Sequence, residues 1–530
     1  MQASVMTTLS LRPEGQCNGS FLLASSTSRR PCISWSRRQQ RPTKLHRQQM
    51  QQRSVATVHH DNLEEVDDRL GKNPCNFHPS IWGDFFLHYY DAAAASSKQQ
   101  TWMAERAEVK EDVAKILASS VAWDLDHRLQ LIDALERLCL DHLFEDDINA
   151  ALTQIRTSNV TDCYGYRVSP DVFVRFKDQE GSFLANNPVE LLSLCNAAHL
   201  GTHGEIILDE AAIFTRTRLE TILPSLEGSL AHEIKCALEI PLPRRVRIYE
   251  SKYYVSRFEN EITVHDSVLQ LAKLNANITQ LHHQQELEIV TRWWKGLEIE
   301  SKLPFARDRV VECYFWMLGV YFEPCHSRGR IILTMIIAII GLLDDMFDSY
   351  RTMEECELLT NCIERWDTKF GDGLPECMKH ALGKIFDSYE TMDHELARDE
   401  KYRMPYLKYT IDVIRGYNKE VKMCEEGYIP RTVNEHLQQR RILFDWVSSM
   451  PKIVEDLGII VRLLDDLQSY EREQLTPHVA STIKSYMKEH SVSIQIARKK
   501  IEELKEDTWK DFNHEWLNPD NEVPRQLLEK

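Results

Sequence analysis

From about Val109 onward, apolar residues recur at intervals of three and four, as in VAKILASSVAWDLDHRLQLIDALERLCLDHLF, with Lys, Glu, Asp and Arg filling the positions between. A helix turns about 100° per residue, so this spacing gathers the apolar side chains into one stripe and the charges onto the opposite face. The pattern repeats along most of the chain and predicts one amphipathic helix after another. Alternating strand patterns bounded by Asn-Gly or Asp-Gly are almost absent, and no glycine-rich loop follows an apolar run. That leaves little support for a dinucleotide-binding or P-loop reading. With 530 residues, 19 Gly and 19 Pro, the chain has the length for more than one helical domain and too few turn residues for an all-β fold. Helix breaks are expected at proline, for example at Pro241 and Pro243, which precede the basic residues Arg244, Arg245 and Arg247. A division near residue 265 would separate two helical domains of comparable size, 61–265 and 266–530.

The net charge of −17 is an average of two unlike parts. Residues 1–60 contain Arg12, Arg29, Arg30, Arg37, Arg38, Arg41, Lys44, Arg47 and Arg53 against the single acid Glu14, a charge of +8, so the remainder carries −25. The leader is rich in Ser, Thr, Arg and Gln and lacks helical apolar periodicity, which is the composition of an organelle transit peptide or a disordered tail. The acidic body would repel a phosphate backbone, which argues against nucleic-acid binding. Thirteen Cys with no C-x-x-C pair suggest neither a zinc site nor a disulfide framework. The longest apolar run, Ile331–Leu343, has thirteen residues and is too short to span a bilayer, so it reads as a buried helix.

That buried helix ends on Asp344-Asp345-Met346-Phe347-Asp348. Asp344 and Asp348 fall within about 40° of each other on one helix face. Carboxylates there oppose the helix dipole and call for a compensating metal or cation, and oxygen donors suit a hard divalent ion. Alone, such a cluster would read as a solvated helix end. A second pattern, Asp465, Ser469 and Glu473, sits at i, i+4 and i+8 and spans about 80° of helix circumference, with Arg462 about 60° from Asp465. A third group, Arg307-Asp308-Arg309, precedes the aromatic run Tyr314, Phe315, Trp316. Guanidinium forks match phosphate oxygens. Two acidic sites and paired arginines in an acidic helical chain point to a diphosphate bridged by Mg²⁺, with Mn²⁺ as the alternative ion. An aromatic face in the cavity would stabilise a cation by about 2 kcal/mol or more when desolvated.

These motifs resemble the class I terpene synthases of plants, in particular the mono- and sesquiterpene synthases of grasses. The likeness runs through NFHPSIWGDF (76–85), LPFARDRVVECYFW (303–316), GVYFEP (319–324) and the aspartates at 344–348. The resemblance implies an all-α fold of two helical domains with the active site in the C-terminal one. It further implies that Asp344, Asp345 and Asp348 bind Mg²⁺ from one side and Asp465, Ser469 and Glu473 from the other. Arg307, Arg309 and Arg462 would take the diphosphate, and Trp316 would line the cavity. The implied reaction is ionisation of geranyl or farnesyl diphosphate to an allylic carbocation that ends in deprotonation or water capture. A monomer without a membrane span, located in a plastid or alternatively in the cytoplasm, is expected. A chain-elongating prenyltransferase would show a second D-D-x-x-D, which the second motif does not match.

The chain also departs from the family pattern. Between Leu437 and Phe444 roughly twenty residues, five or six turns of a cavity-lining helix, are expected and missing, and around Asp162–Tyr166 about a dozen more. The chain stops at Lys530, ahead of the family's terminal helices and lid. These shortfalls imply an alternative, a catalytically inactive relative that at most binds diphosphate. The family's tandem arginine ahead of Trp82 is replaced by Lys72-Asn73. Its loss favours a fifteen-carbon substrate or an acyclic ten-carbon product, whereas the basic leader favours a plastid and the ten-carbon substrate.

Overall fold

The computed structural model describes residues 80–89, 92–157, 173–259, 265–349, 352–395, 410–441, 452–473 and 481–518. The basic leader lies outside them. The described chain is built of helices joined by turns, and the only strand-like pairing among the described residues is an isolated bridge between Lys177 and Phe183.

In the N-terminal half, α1 (Ala92–Ser119), α2 (Leu125–Arg137) and α3 (Glu145–Thr157) bring Val113, Leu117, Ile132, Leu135 and Ile148 into one core. Asp124 caps α2 by accepting the His127 backbone N–H at 3.0 Å, which satisfies one of the donors a helix start leaves open. A second core gathers α4 (Pro188–Ala198), α5 (Ile206–Ile222) and α6 (Gly228–Glu239) around Leu191, Leu219 and Ile234. Proline at the first position of α4 and Asn187 as its cap fix where that helix begins. The prolines at 241 and 243 end α6 and lead into α7 (Arg247–Phe258).

The long helix α8 (Asp266–Gly296) packs on α1 and also on α9 (Val310–Val320) and α10 (Ser327–Ser349). The apolar run Ile331–Leu343 forms the body of α10 and buries Ile332, Ala338, Ile339, Leu342 and Leu343, as its sequence requires. One ionic cluster joins these three helices. Arg330 of α10, wholly buried, donates to both carboxylate oxygens of buried Glu286 of α8 at 2.7 and 2.6 Å. Tyr314 of α9 donates its hydroxyl to the same carboxylate at 2.9 Å. Arg330 also donates to the backbone carbonyls of Tyr321 and Glu323, so it ties down the connection between α9 and α10.

Beyond α10, α11 (Met353–Arg365), α12 (Glu376–Glu395) and α13 (Thr410–Glu425) follow, then α14 (Val433–Arg441), α15 (Lys452–Glu473), α16 (Thr482–His490) and α17 (Ile494–Leu517). Leu463, Leu467, Ile483, Ala497 and Ile501 close a third core among α15, α16 and α17. The last helix is fastened to the N-terminal half. Arg244 pairs with both oxygens of Glu506 at 3.1 and 2.8 Å and lies over the Trp509 ring, while Asn513 donates to the carbonyls of His199 and Gly201. No described helix is long and apolar enough to cross a membrane.

Candidate active site

The acidic end of α10 is reached from the loop before α9. Asp345 is buried at 3% exposure, and both its oxygens are occupied by Arg307: the backbone N–H donates at 2.6 Å and Nε at 2.5 Å. The same guanidinium donates through Nη2 to Asp344 at 2.8 Å. Asp344 stands more open, with its side chain 37% exposed. One arginine thus spans the first two aspartates, fixed to the inner one and touching the outer one. Burial alone would lower the Arg307 pKa, but the carboxylates of Asp345 and Asp344 more than offset it, so the group stays charged. Arg309 donates to the carbonyl of Asp308 at 2.7 Å. Asp348 belongs to α10, but its side chain lies outside the described residues.

The second motif repeats this arrangement on α15. Asp465 is the open carboxylate, 52% exposed, and Arg462 donates to it at 3.0 Å. Asp466 is the buried one, with Arg462 Nη1 at 3.7 Å. Thr482, at the start of α16, donates to Asp466 from its backbone N–H at 2.7 Å and from its hydroxyl. The Nε2 atom of His436, on α14, lies 3.7 Å away. Burial would raise the Asp466 pKa, yet His436, the Arg462 charge and the two bonds from Thr482 hold it down at about 2.

Ser469 differs from its sequence expectation in orientation. It is 4% exposed and its hydroxyl donates to the Asp465 carbonyl at 2.8 Å. A step of four residues rotates the helix by about 40°, enough to carry Ser469 from the open face toward the packed one shared with Leu467 and Tyr470. The side chain of Glu473 lies outside the described residues.

The aromatic helix α9 divides its ring residues between core and surface. Tyr314 is buried in the Glu286 cluster, whereas Phe315 and Trp316 are 50% and 62% exposed. Phe315 is held by Tyr249 of α7, whose ring stacks on it at 4.1 Å and whose hydroxyl donates to the Phe315 carbonyl. Trp316 therefore presents an open face on a fixed backbone. On α15, Val454, Leu457, Val461 and Leu464 form a second exposed apolar stripe that leads toward Arg462 and Asp465. Their spacing of three, four and three is legible in the sequence. The partners of Asp466 are not, since Thr482 lies sixteen residues away.

Among the described residues no group of three or more His, Cys, Asp or Glu side chains is close enough to hold a metal. The donors that are described nonetheless suit a hard cation. Asp344 and Asp465 offer exposed carboxylate oxygens on helices, each with an arginine that can share an anionic ligand. Asp345 and Asp466 are directed inward, onto protein partners.

Two family profiles match the chain, each in two pieces. "Terpene synthase, N-terminal domain" matches residues 81–164 and 162–238, and "Terpene synthase family, metal binding domain" matches 295–443 and 439–511. The junctions at 162–164 and 439–443 fall where the sequence reading finds shortfalls. An alpha-terpineol synthase, chloroplastic, from Zea mays is 52% identical over 507 residues, covering 87% of this chain and 81% of that protein. The fold is similar to that of limonene synthase with 2-fluorolinalyl diphosphate, at a TM-score of 0.75 and 26% identity, covering 86% of this chain and 92% of that one. It is also similar to isoprene synthase from grey poplar (Populus x canescens) in complex with three Mg²⁺ ions and dimethylallyl-S-thiolodiphosphate. There the TM-score is 0.68 at 27% identity, covering 85% and 92% of the two chains.

Proposed function

The chain belongs to the terpene synthase family, carbon–oxygen lyases that act on phosphates, and from that premise we propose that it is a Mg²⁺-dependent synthase. Its substrate is geranyl or farnesyl diphosphate, which it ionises to give a mono- or sesquiterpene and diphosphate. The observation that carries this reading is the repeated pairing of an open aspartate, a buried aspartate and one bridging arginine, at Asp344/Asp345/Arg307 and at Asp465/Asp466/Arg462. Asp344 and Asp348 on one helix, and Asp465 and Glu473 on the other, would hold the metal, with Asp345 supporting from behind and Ser469 joining once its hydroxyl turns from the Asp465 carbonyl. Bound Mg²⁺ or Mn²⁺ supplies electrostatic stabilisation to a departing diphosphate.

The protein's own groups have distinct tasks in this proposal. Arg307, Arg309 and Arg462 receive the diphosphate oxygens, with charge that needs no proton transfer. The open face of Trp316 lies against the allylic cation, and the apolar stripe of α15 excludes water from it. No side-chain nucleophile is required. The N-terminal domain, 61–265, supports the catalytic domain, 266–530, and the protein acts as a monomer. A plastid location is supported by the +8 leader and by the chloroplastic relative.

The alternative reading, an inactive relative that at most binds diphosphate, is favoured by the junction at 439–443 within the metal-binding profile. Incubation of the protein without residues 1–60 with each diphosphate, with Mg²⁺ and with chelator, decides between them. The synthase reading expects a terpene from at least one substrate, abolished by chelation. If neither substrate gives a product but Mg²⁺-dependent pyrophosphate binding persists, the inactive reading holds.

A further inference from the structure

Asp466 has no role in the motif as read from sequence, where Asp465, Ser469 and Glu473 are the residues of interest. Its surroundings are nevertheless as closed as those of Asp345 in the first motif. It is 2% exposed, as is His436, and Thr482 is wholly buried. Two donors from Thr482 converge on one of its oxygens, and the imidazole of His436 faces it from a third helix. A carboxylate bonded from α16 and faced by the His436 ring of α14 is directed inward, away from a cation. Its remaining charged neighbour is Arg462, on its own helix, whose Nη1 lies between Asp466 at 3.7 Å and Asp465 at 3.0 Å. A long arginine side chain gives up considerable rotamer entropy when held in one direction, and a buried anion behind it offsets that loss. The first motif supports the same logic independently, since buried Asp345 holds Arg307 by two bonds while Arg307 touches open Asp344.

We propose that Asp466 is the positioning residue of the second motif: fixed by Thr482 and His436, it draws Arg462 across the helix so that the guanidinium lies over Asp465, where a metal-bound diphosphate would arrive. The identity of that ligand rests on the function proposed above; the positioning contact rests on the geometry alone. Asp466 touches neither metal nor substrate in this account. Its effect passes wholly through Arg462.

A double-mutant cycle tests this in the full chain, with inorganic pyrophosphate and Mg²⁺ as the probe and calorimetry as the readout. Arg462→Gln should weaken affinity by about tenfold, the effect of losing one charge-assisted bond, and Asp466→Asn, which removes the buried charge 3.7 Å from Arg462, should weaken it by no more than that. The double variant should be no weaker than Arg462→Gln alone, because the two residues act as one unit. Thr482→Val should behave like Asp466→Asn, and Thr482→Ser, which keeps the hydroxyl, like the wild type. Thermal melts run alongside, and the Thr482 pair carries the test if Asp466→Asn does not fold. Multiplying effects in the double variant, or recovery of Asp466→Asn at high Mg²⁺ as for a lost metal ligand, would overturn the proposal. Product formation from geranyl and farnesyl diphosphate is measured in parallel. A wild type that binds pyrophosphate without turnover refutes the synthase reading and leaves the cycle intact, whereas a wild type with no pyrophosphate affinity overturns the positioning role itself.

Discussion

Replacing Arg330 by Met is the sharpest test of how the scaffold holds the site. Arg330 has 0% exposure and Glu286 3%, so neither charge is solvated. The substitution removes two charge-assisted bonds of 2.6 and 2.7 Å and leaves the Glu286 carboxylate with the Tyr314 hydroxyl at 2.9 Å. It also takes away the donor to the carbonyls of Tyr321 and Glu323. Breaking a buried pair from one side costs about 3–5 kcal/mol, a large part of a margin of ~5–15 kcal/mol. Removing both charges is different in kind. In Glu286→Leu/Arg330→Met no ion is left buried, and the remaining penalty is the one bond lost by each of three groups, the Tyr321 and Glu323 carbonyls and the Tyr314 hydroxyl, about 1–3 kcal/mol each at most. The double variant should therefore be more stable than Arg330→Met, with a higher denaturation midpoint in urea followed by far-UV circular dichroism. The reasoning is refuted if the double variant is the less stable of the two, since the pair would then contribute net attraction beyond the cost of dehydrating it.

Three further outcomes follow from particular contacts. His283 is pushed down to about 4, chiefly by burial and by the Arg330 charge, against the opposing pull of Glu286 and of its bond to the Phe322 carbonyl. Its folded value lies below the unfolded one of about 6.5, so the folded state favours neutral imidazole. Its contribution is complete above about pH 6.5 and is lost as pH falls toward 4, an effect of order 1–3 kcal/mol; His283→Gln should flatten the urea-midpoint profile over that window. Trp316→Ala should leave the thermal midpoint almost unchanged, within about 0.5 kcal/mol for an exposed side chain, while shifting product distribution or lowering turnover measured by gas chromatography. Arg244→Ala should cost about 1–3 kcal/mol by removing the Glu506 pair and the Trp509 contact, and limited proteolysis should then cut near α17 sooner than in the wild type.

Much of the helical framework was legible because its information is local. The Ile331–Leu343 run is a buried helix ending on the aspartates, and proline at 241 and 243 does end a helix. Local pattern also placed Arg307 and the aspartates in one proposal, but not as an ion pair: Asp345 is 38 residues from Arg307, and periodicity says nothing about which loop returns to which helix end. The basic cluster after Pro243 shows the same limit. In the structure Arg244 goes to Glu506, Arg245 to Glu250 and Arg247 to Asp141, so the apparent patch is three separate pairings. The orientation of the Ser469 hydroxyl was not legible for a smaller reason, since a drift of about 40° per four residues decides between the open and the packed side of α15.

The places where the family profile breaks bear on chemistry more than on the motifs. The junctions at 162–164 and 439–443 fall outside both α10 and α15, the helices that carry the aspartates. α10 is held by Arg330 and Glu286, and α15 by its core with α16 and α17 and by the Thr482–Asp466 bonds. Of the supports around α15, only those from α14, His436 beside Asp466 and Val433 and Leu437 on the core, come from a helix that reaches the 439–443 junction. In the proposed function, binding of diphosphate and closure of a dry cavity would be separable to that extent: the first would depend on the two acidic helices and their supports, the second on the apolar wall around Trp316 and the α15 stripe. A chain that binds Mg²⁺ and pyrophosphate with ordinary affinity but releases mainly water-captured alcohol would locate the effect of the shortened segment in the wall. One that loses both would mean that the wall, and not the arginine pairs, holds the two acidic helices at their working distance.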